Sequence, residues 1–278
     1  LARKAPFRER LVRRMAIGGG RVLRTATGSP PRHPSVFFHM PKCGGTSLSE
    51  AMYATVPMQQ RIGVIDAVST RRAAAIRAFG RDDPRACHED FDEGWRVFDL
   101  RETLMLQHMA WDTMLIHGHV LWSEAAHAHF GDRYRYVTLL REPLARTISN
   151  LRMAQRAGLV DDDLEAYLES SVARRHARVY LRYLAGRNDI AEDAVAEATG
   201  EAIARLDGFA LVGFLDRQPA FLAGYRETFG VPLRLQRLNA APDGAPPFPD
   251  RVLARLRELC APDLAIHEAA LSHAAAAR

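Results

Sequence analysis

Short apolar runs alternate along this chain with longer stretches of helical spacing. Val36-Phe37-Phe38 is the first such run, and it meets a turn made of Pro41, Lys42, Cys43, Gly44 and Gly45. Thr46 and Ser47 then open a segment whose apolar positions, Leu48, Ala51 and Met52, have helical spacing. A helix is expected over Asp66–Gly80 with Ser69 as its N-cap, then a polar, acidic loop over 81–95 and a helix over Leu100–Ala110. Thr113–His119 reads as a strand ending at Gly118, and Ser123 caps a short helix stopped by Gly131. Tyr134–Leu140 is rich in β-branched and aromatic residues and reads as a strand. Pro143 sits where a first helical residue belongs, the helix Leu144–Ala157 stops at Gly158, and Asp161-Asp162-Asp163 suits the first turn of the next helix.

Helical patterns fill 162–206 with a break near Gly186–Asp189, and Phe209–Leu215 is a further buried strand. A helix over Pro219–Phe229 is closed by Gly230, a Pro/Gly-rich loop covers 240–249, and helices over 250–260 and 263–275 follow. No internal repeat is visible. Strands separated by helices predict an α/β fold with a central parallel sheet flanked by helices.

Charge divides the chain. Residues 1–34 hold nine basic side chains against one acidic, leaving 29 basic against 32 acidic in the other 244 residues, a balance of −3. The overall +5 therefore belongs to a basic, partly helical lead-in over 1–34, with the α/β domain over 35–278. The acidic balance of that domain argues against a nucleic-acid-binding body. The lead-in is the segment suited to an anionic membrane surface or, less well, to nucleic acid. No apolar run approaches 18 residues, and the first residues lack the apolar stretch of a secretory leader. Cys43, Cys87 and Cys260 are odd in number and far apart, which fits a reducing, cytoplasmic setting.

The turn after the first strand carries the most chemistry. Strand, glycine turn and helix start bring free backbone N–H groups and the positive end of a helix dipole to one point, an arrangement that holds phosphate-like anions. Lys42 adds a full charge there, in a chain whose only other lysine is Lys4. It precedes the glycines, so the turn is not the GxxxxGK[ST] loop, nor is it GxGxxG. Arg141 stands at the carboxyl end of a strand, with Ser149 on the following helix. Together a guanidinium and a hydroxyl can share one phosphate. In His117-Gly118-His119-Val120 the two imidazoles, two residues apart on a strand, face one side and are candidates for a general base. An HxH chelate completed by His127 and His129 is disfavoured, because residues two apart on a helix diverge.

PKCGGTS after a strand, followed about a hundred residues later by LREPLARTISN, resembles the sulfotransferases that use 3′-phosphoadenosine 5′-phosphosulfate (PAPS), and more narrowly the carbohydrate-directed branch with its PKTGGTS pattern, sulfotransferase family 2. HGHV is similar to the same segment of hexuronic acid 2-O-sulfotransferases, and FALVGFLDRQPAFLAGYRETFG to the family's later strand–helix unit. The resemblance covers roughly 35–230, with 55–110 and 155–205 unmatched. It implies a P-loop NTPase-like sulfotransferase fold and transfer of a sulfuryl group to an acceptor hydroxyl on a saccharide or glycolipid, with no metal. It further implies that Lys42, Cys43, Gly44, Gly45, Thr46 and Ser47 hold the 5′-phosphosulfate, and that Arg141 and Ser149 hold the 3′-phosphate. His119, with His117 second, acts as base. Cys43 departs from the family's Thr, which forfeits a side-chain hydroxyl contact. A nucleoside or small-molecule kinase and a non-catalytic nucleotide-binding protein are the alternatives.

Overall fold

The computed structural model describes residues 7–235 and 248–276. The basic lead-in forms helix α1 (Phe7–Thr27). The core begins at β1 (Ser35–Phe38), all four residues buried, followed by α2 (Gly45–Tyr53). Next come β2 (Ile62–Ile65), α3 (Ala67–Phe79), α4 (Trp95–Ala110), β3 (Leu115–Gly118), α5 (Glu124–Phe130) and β4 (Arg135–Leu140). A helical block follows: α6 (Pro143–Arg156), α7 (Leu164–Glu169), α8 (Ser171–Ala177), α9 (Val179–Leu184) and α10 (Val195–Ala204). The chain continues through β5 (Phe209–Phe214), α11 (Gln218–Phe229), α12 (Asp250–Leu259) and α13 (Ala261–Ala276). No described helix is long and apolar enough to cross a membrane.

The five strands form one sheet in the order β2-β3-β1-β4-β5, every neighbouring pair parallel. Parallel strands buried on both faces are apolar throughout. The alternation in β1 sends Phe37 into one layer, with Leu48 and Met52 of α2 and Phe221 and Tyr225 of α11. Val36 and Phe38 enter the other layer, with residues of α3, α4, α9, α10 and α13. The connection after β1 thus covers one face, and those after its neighbours β3 and β4 cover the other. Opposite departures open a crevice at the carboxyl ends of adjacent strands, where open α/β sheets bind ligands.

Several local expectations shift. Asp66, not Ser69, is the N-cap of α3, and its carboxylate accepts from the Ser69 N–H at 2.8 Å. Helix α4 starts five residues early, at Trp95, because its inward face, Val97, Phe98, Arg101, Met105 and Met109, includes a buried arginine that breaks the apolar spacing. Of the acidic triplet only Asp163 serves the next helix, capping α7 from outside through the Ala166 N–H. Strand β2 had no expectation at all: it lies at the sheet edge, with Val64 exposed and Gly63 in its middle. Most of the loop expected at 240–249 lies outside the described residues.

Candidate functional site

The turn between β1 and α2 sits at the crevice. Gly44 is the N-cap of α2 in the left-handed region (φ 78°), and no side chain caps the helix. The first-turn N–H groups of a helix have no intrahelical acceptor, so those of Gly45, Thr46 and Ser47 are available to an anion. The neighbouring α6 differs: the Glu142 carboxylate accepts from the N–H groups of Leu144 at 3.1 Å and Ala145 at 2.6 Å, closing that terminus. Gly45 is fixed by a close approach, since a Cβ there would stand 2.3 Å from Cδ2 of His39.

Lys42 occupies the left-handed region (φ 66°), a strained state for a residue with a Cβ. Burial, then the charges of Arg156 and Arg141, lowers its pKa below the usual lysine range. The Arg141 guanidinium donates to the Lys42 carbonyl at 3.4 Å. Among the described residues no carboxylate forms an ion pair with Lys42, Arg141 or Arg156. The structure thus brings Lys42 and Arg141 together. Ser149 is half-buried on α6, seven residues and hence about two turns before Arg156 on the same helix face. Arg156 was not singled out from sequence, although that spacing from Ser149 was the available signal.

Cys43 lies beneath the turn. Its side chain is 1% exposed and packs in the core with Met40, Phe38 and Tyr180. Its N–H donates to the Met40 carbonyl at 3.4 Å, and Sγ lies 3.3 Å from the Tyr180 hydroxyl. Burial pushes the thiol up to about 11, so it is neutral. Cys43 therefore forms the underside of the turn and does not face its open side. Tyr180, unflagged in a helix of wholly buried residues, is what organises it: its hydroxyl accepts from the Arg141 N–H at 2.8 Å and donates to the Arg141 carbonyl at 2.5 Å. Asp263 of α13 in turn accepts from the N–H groups of Tyr180 and Leu181, both at 2.9 Å.

Histidines line the other side of β1. His117 and His39 lie on the α2 face, each stacked on Phe37, with ring centroids 5.5 and 5.7 Å away. His117 has both nitrogens engaged: Nδ1 is 2.7 Å from the Tyr53 hydroxyl and Nε2 is 2.9 Å from Nδ1 of His39. His119 stacks on His39 at 4.6 Å, and its Nδ1 lies 2.6 Å from the His39 carbonyl. A carbonyl only accepts, so Nδ1 carries the proton and Nε2 the lone pair. Burial lowers all three imidazoles, His39 to about 4, His117 to about 3 and His119 well below its ordinary value, so they are neutral near pH 7. His39 links the histidines to the glycine turn, through His117 and His119 on one side and Gly45 on the other.

A buried arginine holds this group from below. Arg101 donates to the His119 carbonyl at 3.1 Å, to Thr70 Oγ1 at 2.9 Å and to Glu89 at 2.5 Å. Burial alone would raise the Glu89 carboxyl, but Arg101 and Arg71 outweigh it and hold Glu89 ionised. Glu89 belongs to the acidic stretch 81–95, whose composition suggested only a solvated loop. Among the described residues no group of three or more His, Cys, Asp and Glu side chains is arranged to hold a metal. No model of a known protein family matches the chain, and no curated protein matches it.

Proposed function

We propose that this chain is a sulfotransferase that moves a sulfuryl group from PAPS to an acceptor hydroxyl on a saccharide or glycolipid. One observation carries the reading. An uncapped helix N-terminus lies beside Lys42, Arg141 and Arg156, and among the described residues no carboxylate pairs with these three cations. A charge set of this kind fits a ligand with several anionic oxygens. The fit is good on two counts: Gly44 and Gly45 leave no side chain over the helix start, and Lys42 is held strained at its edge.

In this scheme Lys42 and the N–H groups of Gly45, Thr46 and Ser47 bind the 5′-phosphosulfate, and Arg141 and Ser149 bind the 3′-phosphate. PAPS supplies a sulfuryl group bonded to a phosphate that can leave. The acceptor oxygen forms a bond to sulfur while the bond from sulfur to the phosphate oxygen breaks, giving 3′,5′-ADP. His119 takes the hydroxyl proton on Nε2, the nitrogen left free by its bond to the His39 carbonyl. His117, with both nitrogens engaged, orients His39 instead. Charge on the leaving phosphate grows in the transition state, so the cations and N–H groups act on the rate as well as on binding.

The test is transfer of labelled sulfuryl from PAPS onto a panel of glycans and glycolipids. The wild type labels at least one acceptor, and His119→Ala abolishes labelling while still binding 3′,5′-ADP. Full activity in His119→Ala would remove His119 as base. Labelling of the same acceptors from γ-labelled ATP in place of PAPS would make the chain a kinase.

A further inference from the structure

Helix α1 is oriented against the usual rule for a surface helix. Its inward side is mostly polar, with Ile17 as a half-buried exception. The Arg13 guanidinium pairs with Glu50, and Arg21 donates to the carbonyls of Val56, Pro57 and Gln60 at 3.1, 3.1 and 2.9 Å. The Met58 N–H donates to Thr25 Oγ1 at 2.8 Å. Gly20 permits the close approach, because a Cβ there would stand 2.7 Å from Ala54. Among the described residues none of α1 belongs to the three apolar clusters of the core.

The outward side is apolar. Leu11, Val12, Met15, Val22 and Leu23 are 45 to 67% exposed, and Met58 beside the helix is 53% exposed. At 3.6 residues per turn these α1 positions fall within about a third of the circumference, opposite Arg13, Gly20 and Arg21. Residues 11–27 contain four arginines and no carboxylate. Pairing this face with the same face of a second copy would set two like-charged helices side by side. An anionic lipid surface matches both properties, taking the apolar side chains into its acyl boundary and the exposed Arg14 at its headgroups, while Arg13 and Arg21 stay bonded to the domain and keep the helix basic.

We propose that α1 is a docking helix for an anionic lipid bilayer, lying in the interface with Leu11, Met15 and Val22 turned into it and held to the domain by Arg13 and Arg21. The bond network fixes the helix on the domain, so docking orients the whole α/β body at the membrane.

The full chain is sedimented with vesicles of phosphatidylcholine mixed with phosphatidylglycerol, and with phosphatidylcholine alone. Binding to the anionic vesicles is expected to exceed binding to the neutral ones. Met15→Glu combined with Val22→Glu is expected to weaken it by roughly tenfold or more. Neither residue touches the core, so thermal unfolding and 3′,5′-ADP binding serve as controls for folding. In a second measurement Met15→Cys is labelled with a polarity-sensitive fluorophore. The native cysteines Cys43, Cys87 and Cys260 are buried, which makes the label selective. A blue shift on adding anionic vesicles supports docking. Absence of binding, binding unchanged in the double variant, or a blue shift that follows protein concentration without vesicles would each overturn it, the last in favour of a second copy.

Discussion

Acid should unfold this protein through its histidines. A buried imidazole with a lowered pKa stays neutral in the folded state while its unfolded counterpart takes up a proton near its ordinary value of 6.5. Stability therefore falls as pH drops through 6.5 and stops falling, for that group, below its folded pKa of about 4 for His39 and about 3 for His117. Between about pH 7 and about pH 5 each group loses about 2 kcal/mol, so the pair accounts for about 4 kcal/mol, a large share of a typical domain's stability. The comparison is between wild type and His39→Asn/His117→Asn, with unfolding free energies from urea titrations at several pH values. The variant is expected to start less stable, because it breaks the bonds to Tyr53 and between the rings, and to depend less steeply on pH by about two protons. His88, His108, His267 and Asp263 also carry shifted values, but they are common to both proteins and cancel in the difference, and His119 keeps in the variant the burial that is the larger cause of its lowered value. Equal pH slopes in the two proteins would refute the reasoning.

Three further outcomes follow from the turn and its supports. Lys42→Gly relieves a positive φ and should raise the unfolding free energy by about 1 kcal/mol while turnover collapses; a variant both less stable and fully active would contradict the strain and the role together. Gly45→Ala gains helix propensity but drives a Cβ into the His39 ring, so urea unfolding should show a net loss of about 1–2 kcal/mol that His39→Ala largely removes, and additive effects would speak against the contact. Asp263→Ala strips two N–H groups of their acceptor and leaves buried Arg146 without its carboxylate at 3.7 Å, for which about 3–5 kcal/mol of lost stability is expected in the same assay.

The parallel sheet was legible because its central strands are short apolar runs bounded by turns, and Gly131, Gly158 and Gly230 end helices or mark turns where punctuation suggested. The edge strand β2 was not, since a half-exposed strand with a glycine in its middle has neither a continuous run nor a clean alternation. The glycine turn and the uncapped helix start after it were legible from local spacing, because backbone N–H groups and a glycine N-cap need no distant partner. What supports it was invisible: Tyr180 and Asp263 act from 137 and 220 residues beyond Cys43, and nothing in VYLRYL marks one hydroxyl as the brace of a loop. His39 went unmarked for the same reason, as its partner His117 lies 78 residues away. The buried arginine Arg101 hid the start of α4 and gave no sign of Glu89, because charge in sequence reads as surface.

In the proposed function the cations beside the turn recognise an adenosine carrying both 3′ and 5′ phosphates. Calorimetric titration of the wild type and Arg141→Ala with 3′,5′-ADP, 5′-AMP and ATP tests it most directly. 3′,5′-ADP is expected to bind the wild type most tightly, and Arg141→Ala to remove its advantage over 5′-AMP, with the fold otherwise intact. Equal binding of 3′,5′-ADP and 5′-AMP to the wild type, or tighter binding of ATP than of either, would contradict it.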